Sequence, residues 1–156
     1  MTSRLTASPQ SHDAAPTTTP VGIRPARPAD LATVLKIWRD VSLAASEHDR
    51  VEVVAALLEH RASSLLVAEL DGAIVGTLIA GFDGWQGHLY RLAVLQRCRR
   101  RGIGHALVAE GERILRARGA RRGAAAVLLG KPEAVAFWVS AGYAHRAGSG
   151  RFTKAL

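Results

Sequence analysis

Leu92-Ala93-Val94-Leu95-Gln96-Arg97-Cys98-Arg99-Arg100-Arg101-Gly102-Ile103-Gly104-His105-Ala106-Leu107 is the stretch on which the reading of this chain turns. An apolar strand pattern ends near Val94, a basic turn follows, and two glycines lead into a helical pattern. A junction of this kind binds anions. The first N–H groups of a helix have no intrahelical partner and carry partial positive charge. Gly102 and Gly104 let the backbone approach a phosphate and adopt conformations closed to larger residues. Arg99, Arg100 and Arg101 can add charge-assisted hydrogen bonds. Other phosphate loops do not fit: there is no Walker Gly-x-x-x-x-Gly-Lys-Ser/Thr run, and the third glycine of the dinucleotide fingerprint is missing. The competing reading is a plain helix start with a solvated arginine run.

Outward from this loop, the pattern predicts one domain. Residues 1 to 20 are mostly Thr, Ser, Pro and Ala, too poor in large apolar side chains to offset the entropy of ordering, so they read as a disordered tail. The domain is expected over 21 to 156, beginning with a strand at Val21 to Arg24. Pro28-Ala29-Asp30 opens a helix carrying Leu31, Val34, Leu35 and Trp38 at helical spacing, to about Val41. A second helix is expected over Arg50 to Arg61. Strands follow at Ser64 to Leu70, Ala73 to Phe82 and Gly87 to Val94, joined by Asp71-Gly72 and Asp83-Gly84 turns. A helix from Gly104 to Arg118 ends at Gly119. Ala124 to Leu129 reads as a strand and Pro132 to Ser140 as a helix. Tyr143 to Ala147 and Arg151 to Ala155 read as a hairpin around Gly148-Ser149-Gly150. The order β-α-α-β-β-β-α-β-α-β-β is an α/β fold, a mixed sheet flanked by helices.

Composition narrows the function classes. The chain has 156 residues and a formal net charge of +8, which attracts polyanions such as nucleic acid, anionic membrane or a phosphate-rich small molecule. Its longest apolar runs, such as Ala73 to Ala80, are too short to cross a bilayer. The N-terminus lacks the shape of a signal peptide, and Cys98 is the single cysteine, so no internal disulfide or cysteine-based metal cluster can form. A cytoplasmic protein without a metal is expected. No aromatic residues interleave the arginine run, which counts against nucleic acid as the partner.

Arg99-Arg100-Arg101-Gly102-Ile103-Gly104 resembles the Arg/Gln-x-x-Gly-x-Gly/Ala signature of the GNAT acyltransferases, between a strand and a helix as that family has it. Ala134-Val135-Ala136-Phe137-Trp138-Val139-Ser140-Ala141-Gly142-Tyr143 is similar to a second family segment, Ala-Ile-x-Leu-Tyr-x-x-x-Gly-Phe. The resemblance implies the GNAT fold, a mostly antiparallel sheet splayed at the cofactor site. It also implies an acetyl-CoA-dependent N-acetyltransferase in which a primary amine attacks the thioester directly. Acetyl-CoA is then the cosubstrate, the amine is unidentified, and a homodimer is possible. A catalytically weak acyl-CoA-binding module is the alternative.

The resemblance also assigns residues. Leu92, Ala93 and Val94 should offer backbone to the pantetheine arm, with the Val94 N–H near the thioester oxygen. Arg99 to Gly104, with Ile103 between the glycines and the His105 N–H, should hold the pyrophosphate. The glutamate used as base by several family members, six residues before Val94, is His88 here, an imidazole suited to proton transfer. His88 reads equally as a half-exposed strand histidine. The family tyrosine that protonates the leaving thiolate is replaced by Trp138, leaving Tyr90 as a substitute, while Tyr143 falls at a core position. The acceptor is expected near the loop from Ser42 to Asp49, where Glu47 and Asp49 can attract a cation. Trp85 can stack on a cation. Asp83 is a weaker candidate, since Asp before Gly in a turn explains itself.

Overall fold

The computed structural model describes residues 20–41, 45–146 and 151–156. The expected tail over 1 to 20 lies outside these residues except for Pro20. The tip expected at Gly148-Ser149-Gly150 and the start of the loop expected at Ser42 also lie outside them. Seven strands and four helices follow in the expected order: β1 (Gly22–Pro25), α1 (Leu31–Asp40), α2 (Val51–Glu59), β2 (Ser63–Leu70), β3 (Ala73–Phe82), β4 (Gly87–Val94), α3 (Ile103–Ala117), β5 (Arg122–Ala126), α4 (Pro132–Ser140), β6 (Ala144–His145) and β7 (Arg151–Ala155). They form one sheet in the order β1-β2-β3-β4-β5-β7-β6. Every neighbouring pair is antiparallel except β4 and β5, which are parallel.

Both faces of the central strands are covered, so Leu65 to Ala68 on β2 are buried without alternation. One face packs on α3. A side chain at Gly111 there would strike Leu78 of β3 at 2.8 Å and Leu89 of β4 at 3.0 Å, so glycine lets the helix lie directly on the sheet. The other face carries α1, whose Leu31, Val34, Leu35 and Trp38 are buried as their spacing implies. The Asp71-Gly72 hairpin has positive φ at both residues (50° and 76°), the backbone that a two-residue turn matched to strand twist requires.

Two departures from the sequence expectation bear on the site. Strand β5 runs from Arg122 to Ala126, earlier than the expected Ala124 to Leu129, and Leu128 and Leu129 are exposed. Apolar composition there signalled a strand, but pairing ends it: its last partner is Arg151 of β7, and β4 has already diverged. On β4, the two residues Arg91 and Leu92 stand opposite the single Leu78 of β3, a bulge that places Arg91 at φ 55°.

Candidate active site

Strands β4 and β5 pair only at Gly87 with Gly123, His88 with Ala124 and Leu89 with Ala125. Beyond Leu89 they part, so β4 from Tyr90 to Val94 has β3 on one edge and a gap on the other. The backbone of Val94 serves that gap. The Leu95 N–H donates to Val75 O at 2.9 Å, and Gly76 faces Val94 across the ladder. Val94 is therefore the non-bonded member of the ladder, and its own N–H and C=O point away from β3. Arg99 Nε–H donates to that carbonyl at 3.2 Å, bringing the basic loop back over the mouth of the gap.

At the mouth, a single 3-10 turn (Gln96–Cys98) leads into α3 through two left-handed residues, Arg100 at φ 63° and Gly102 at φ 76°. The left-handed region costs a non-glycine residue about 1–2 kcal/mol, so Arg100 is held there by its surroundings. Gly102 is the N-cap and no side chain caps it. The first intrahelical bond is Ala106 N–H to Gly102 O, so the N–H groups of Ile103, Gly104 and His105 precede the helix ladder. The side chains of Arg99, Arg100 and Arg101 are exposed around them. Ile103 is buried in the core and contributes backbone only. The His105 ring turns to α4, with Nε2 3.0 Å from Ser140 Oγ and its centroid 4.8 Å from that of Phe137.

The two glycines of the loop have different reasons. A Cβ on Gly102 would meet nothing within 4 Å, so its conformation is what demands glycine. A Cβ on Gly104 would stand 2.9 Å from Phe137 Cε2. Gly104 makes room for α4 against α3.

Where the strands part, His88 and Tyr90 share the face of β4 opposite α3, 36% and 39% exposed. His88 Nε2 lies 3.2 Å from Asp83 Oδ2. Asp83 Oδ1 accepts the Gln86 N–H at 2.6 Å and the Trp85 N–H at 2.8 Å. These two backbone donors, followed by His88, lower the Asp83 pKa to about 2, so the carboxylate is ionised at neutral pH. Asp83 is thus the partner of His88. The hairpin register carried that signal, since Phe82 pairs with Gly87 and places both residues one step past the pair.

The bulge organises a second cluster that the sequence pattern does not reveal. The Trp38 indole N–H donates to Thr77 Oγ1 at 2.9 Å, and Thr77 Oγ1 donates to Arg91 O at 2.9 Å. The Arg91 guanidinium lies 5.2 Å above the Trp38 ring, with Nη2 2.8 Å from Asp49 Oδ1. Asp49, expected to attract a cation, is already paired with one. Glu47 is exposed in the same loop. Trp85, 85% exposed, lies in the turn before β4, its N–H donating to Asp83. It lines a cavity of about 910 Å³ together with Arg121, Arg122 and Arg146.

Trp138, at the position of the family tyrosine, and Tyr143, at a core position, are both buried. Trp138 packs edge-on against Phe137 and Tyr143, at 5.5 and 4.9 Å. Burial, then the nearby Glu112 carboxylate, push the Tyr143 phenol far above its usual pKa. Among the described residues no cluster of three or more His, Cys, Asp or Glu converges as a metal site would, and no helix is long and apolar enough to cross a membrane.

An open sheet splayed beside an uncapped, left-handed helix entry suits an extended ligand with an anionic end. The profile described as the acetyltransferase (GNAT) family matches residues 31–143, and the chain belongs to that family. The fold is similar to the PaiA N-acetyltransferase of Thermoplasma acidophilum in complex with coenzyme A (17% identity, TM-score 0.77, covering 88% of this chain and 99% of that one). It is also similar to a GNAT family acetyltransferase of Brucella melitensis in complex with acetyl-CoA (27%, 0.66, 88% and 89%). A third similar structure is the ribosomal-protein-alanine N-acetyltransferase of Brucella melitensis (26%, 0.69, 86% and 99%).

Proposed function

We propose that this protein transfers the acetyl group of acetyl-CoA to a primary amine by direct attack on the thioester. The observation that carries this is the free β4 edge running into an uncapped helix whose entry residue is left-handed. The two solved relatives that hold coenzyme A or acetyl-CoA support the same donor. The N–H groups of Ile103, Gly104 and His105, with Arg99, Arg100 and Arg101, hold the pyrophosphate. Arg99 gives up the Val94 carbonyl when the pantetheine arm takes it. Leu92, Ala93 and Val94 line the arm, with Val94 supplying backbone groups at its outer part.

We place the thioester deeper in the gap than the Val94 N–H, where the resemblance alone would set it. The strands meet only at Leu89, about 16 Å below Val94 at roughly 3.3 Å per residue. An arm anchored at α3 reaches that vertex with its far end. His88 and Tyr90 stand there. The Nε2–H tautomer of His88 donates to Asp83 and leaves Nδ1 as the proton acceptor for the incoming amine. The amine nitrogen bonds to the carbonyl carbon, the carbon–sulfur bond breaks, and the sulfur leaves with the electron pair. Tyr90, whose hydroxyl lies over Gly81 of β3, is the residue we assign to protonate it, by turning its ring toward the gap.

A binding-only module is the second reading, favoured by Trp138, a buried indole with no acidic hydroxyl where the resemblance has a tyrosine. Calorimetric titration with acetyl-CoA, propionyl-CoA and coenzyme A tests the donor site. Thiol release across an amine panel then separates the readings. Binding with turnover supports the enzyme, binding without turnover supports the module, and no binding refutes both.

A further inference from the structure

Resting on the transfer reaction above, we propose that the acceptor carries a carboxylate beside its amine, and that Arg91 reads it in exchange for Asp49. Arg91 directly follows Tyr90, where β4 loses its β5 partner, and it reaches toward α1 on the face that His88 and Tyr90 share. Its guanidinium is oriented in advance. It stacks on Trp38, and its own backbone carbonyl is tied through Thr77 to the same indole. A planar fork fixed in this way matches a carboxylate, which it can grip with two parallel N–H bonds.

Its present partner can yield. Asp49 comes from the segment between α1 and α2, outside any helix or strand. Asp49 Oδ2 also accepts the Ser46 N–H at 3.2 Å, so the carboxylate keeps a donor when Arg91 leaves. The two side chains are 18% and 21% exposed, shielded enough to strengthen the pairing and open enough for exchange. The other carboxylate on this face, Asp83, is committed to its own turn and to His88. A substrate carboxylate exchanging for Asp49 preserves the charge balance at Arg91.

The competing explanation is that Asp49 and Arg91 only staple the loop to β4. In that case loss of either partner loosens the same loop, and both substitutions move acceptor kinetics in the same direction. Under exchange they move it in opposite directions. The test uses the full chain with acetyl-CoA as donor. Thiol release is followed with the L-amino acids and, in parallel, with their α-carboxamides. The free acids are expected to exceed the carboxamides in kcat/KM by about tenfold or more, as loss of a charge-assisted bond implies. Arg91→Gln is expected to erase that preference mainly through KM, Arg91→Lys to retain part of it, and Asp49→Asn to lower KM for the acids. Equal use of acids and carboxamides, turnover of neither set, or a KM raised alike by Arg91→Gln and Asp49→Asn overturns the proposal. Titration of the unsubstituted protein with acetyl-CoA separates the two levels. Without binding the transfer reading itself fails, and with binding only the acceptor assignment does.

Discussion

Replacing Gly102 by Asp puts a carboxylate where the pyrophosphate is proposed to sit, and the structure separates its effect on stability from its effect on binding. No atom lies within 4 Å of a Cβ at this position, so the stability cost is conformational. The left-handed backbone costs a non-glycine residue about 1–2 kcal/mol, with Asp among the more tolerant. A negative charge at the start of α3 returns about 0.3–1 kcal/mol through the helix dipole. The net loss is about 1 kcal/mol, a fall of roughly 2–4 °C in Tm for a domain of this size. Binding should respond far more. A unit charge about 4 Å from a phosphate charge, at an effective dielectric constant of about 20, costs about 4 kcal/mol, or roughly 10³-fold in affinity. Thermal melting and calorimetric titration with acetyl-CoA and coenzyme A measure the two quantities. Gly104→Ala is the contrast. Its Cβ would press on the Phe137 ring, so it should lose about 1–3 kcal/mol by overpacking while retaining the helix N–H groups and most of the affinity. A Gly102→Asp protein that melts as expected yet binds acetyl-CoA as tightly as the parent would refute the placement of the pyrophosphate.

Three further outcomes are expected. Val94→Pro removes an N–H that faces the gap and should weaken coenzyme A and acetyl-CoA alike by about 1 kcal/mol, roughly fivefold. Leu95→Pro removes a ladder donor to Val75 O and should instead lower the melting temperature; equal melting losses would mean the backbone directions are misassigned. His88→Ala should reduce turnover by about 10²–10⁴ with little change in acetyl-CoA affinity, and undiminished turnover would remove His88 as the base. The Asp83 carboxylate has a lowered folded-state pKa, about 2 against an ordinary 3.8. Its stabilisation is therefore fully present above about pH 4 and lost as pH falls toward 2. Melts of the parent and Asp83→Asn should differ at pH 5 and converge toward pH 2, and a constant difference would show that the turn does not depend on the ionised carboxylate.

The element order and the glycine-led entry to α3 were legible because they rest on local signals: helical spacing in α1, the Asp71-Gly72 turn, and the arginine and glycine run before α3. The reason for Gly104 was not legible, because Phe137 meets it from a helix 33 residues later. The end of β5 was misjudged because apolar side chains report burial, whereas a strand ends where its hydrogen-bond partners leave. Asp83 and Trp85 illustrate the same limit. From the sequence, Asp83 reads as a weaker candidate than His88, and Trp85 as a surface on which a cation can stack. What each does depends on the neighbours supplied by the fold, His88 for one and three arginines for the other.

The bulge on β4 shows why the proposed acceptor site resists a reading from sequence while the proposed donor site does not. A donor held by backbone groups needs a strand edge, a helix start and glycine, all of which leave periodic or compositional marks. An extra residue in a strand leaves none, because Leu89-Tyr90-Arg91-Leu92-Ala93 has no turn residue to announce it. Without the bulge, strict alternation would give Arg91 the same face as Leu89 and Ala93 and would set it among the apolar contacts of the sheet. With the extra residue, the register shifts by one between Tyr90 and Ala93, and Arg91 stacks on Trp38 of α1 instead. One inserted residue therefore places a charged group beside the proposed reacting centre and tilts the backbone into a left-handed conformation. Its side chain then meets an aspartate 42 residues earlier in the chain. If the bulge exists to aim Arg91, Arg91→Gly should relax the backbone at φ 55° and raise the melting temperature while lowering kcat/KM for carboxylate-bearing acceptors. A protein that gained stability and lost nothing in acceptor use would leave the bulge without a catalytic reason.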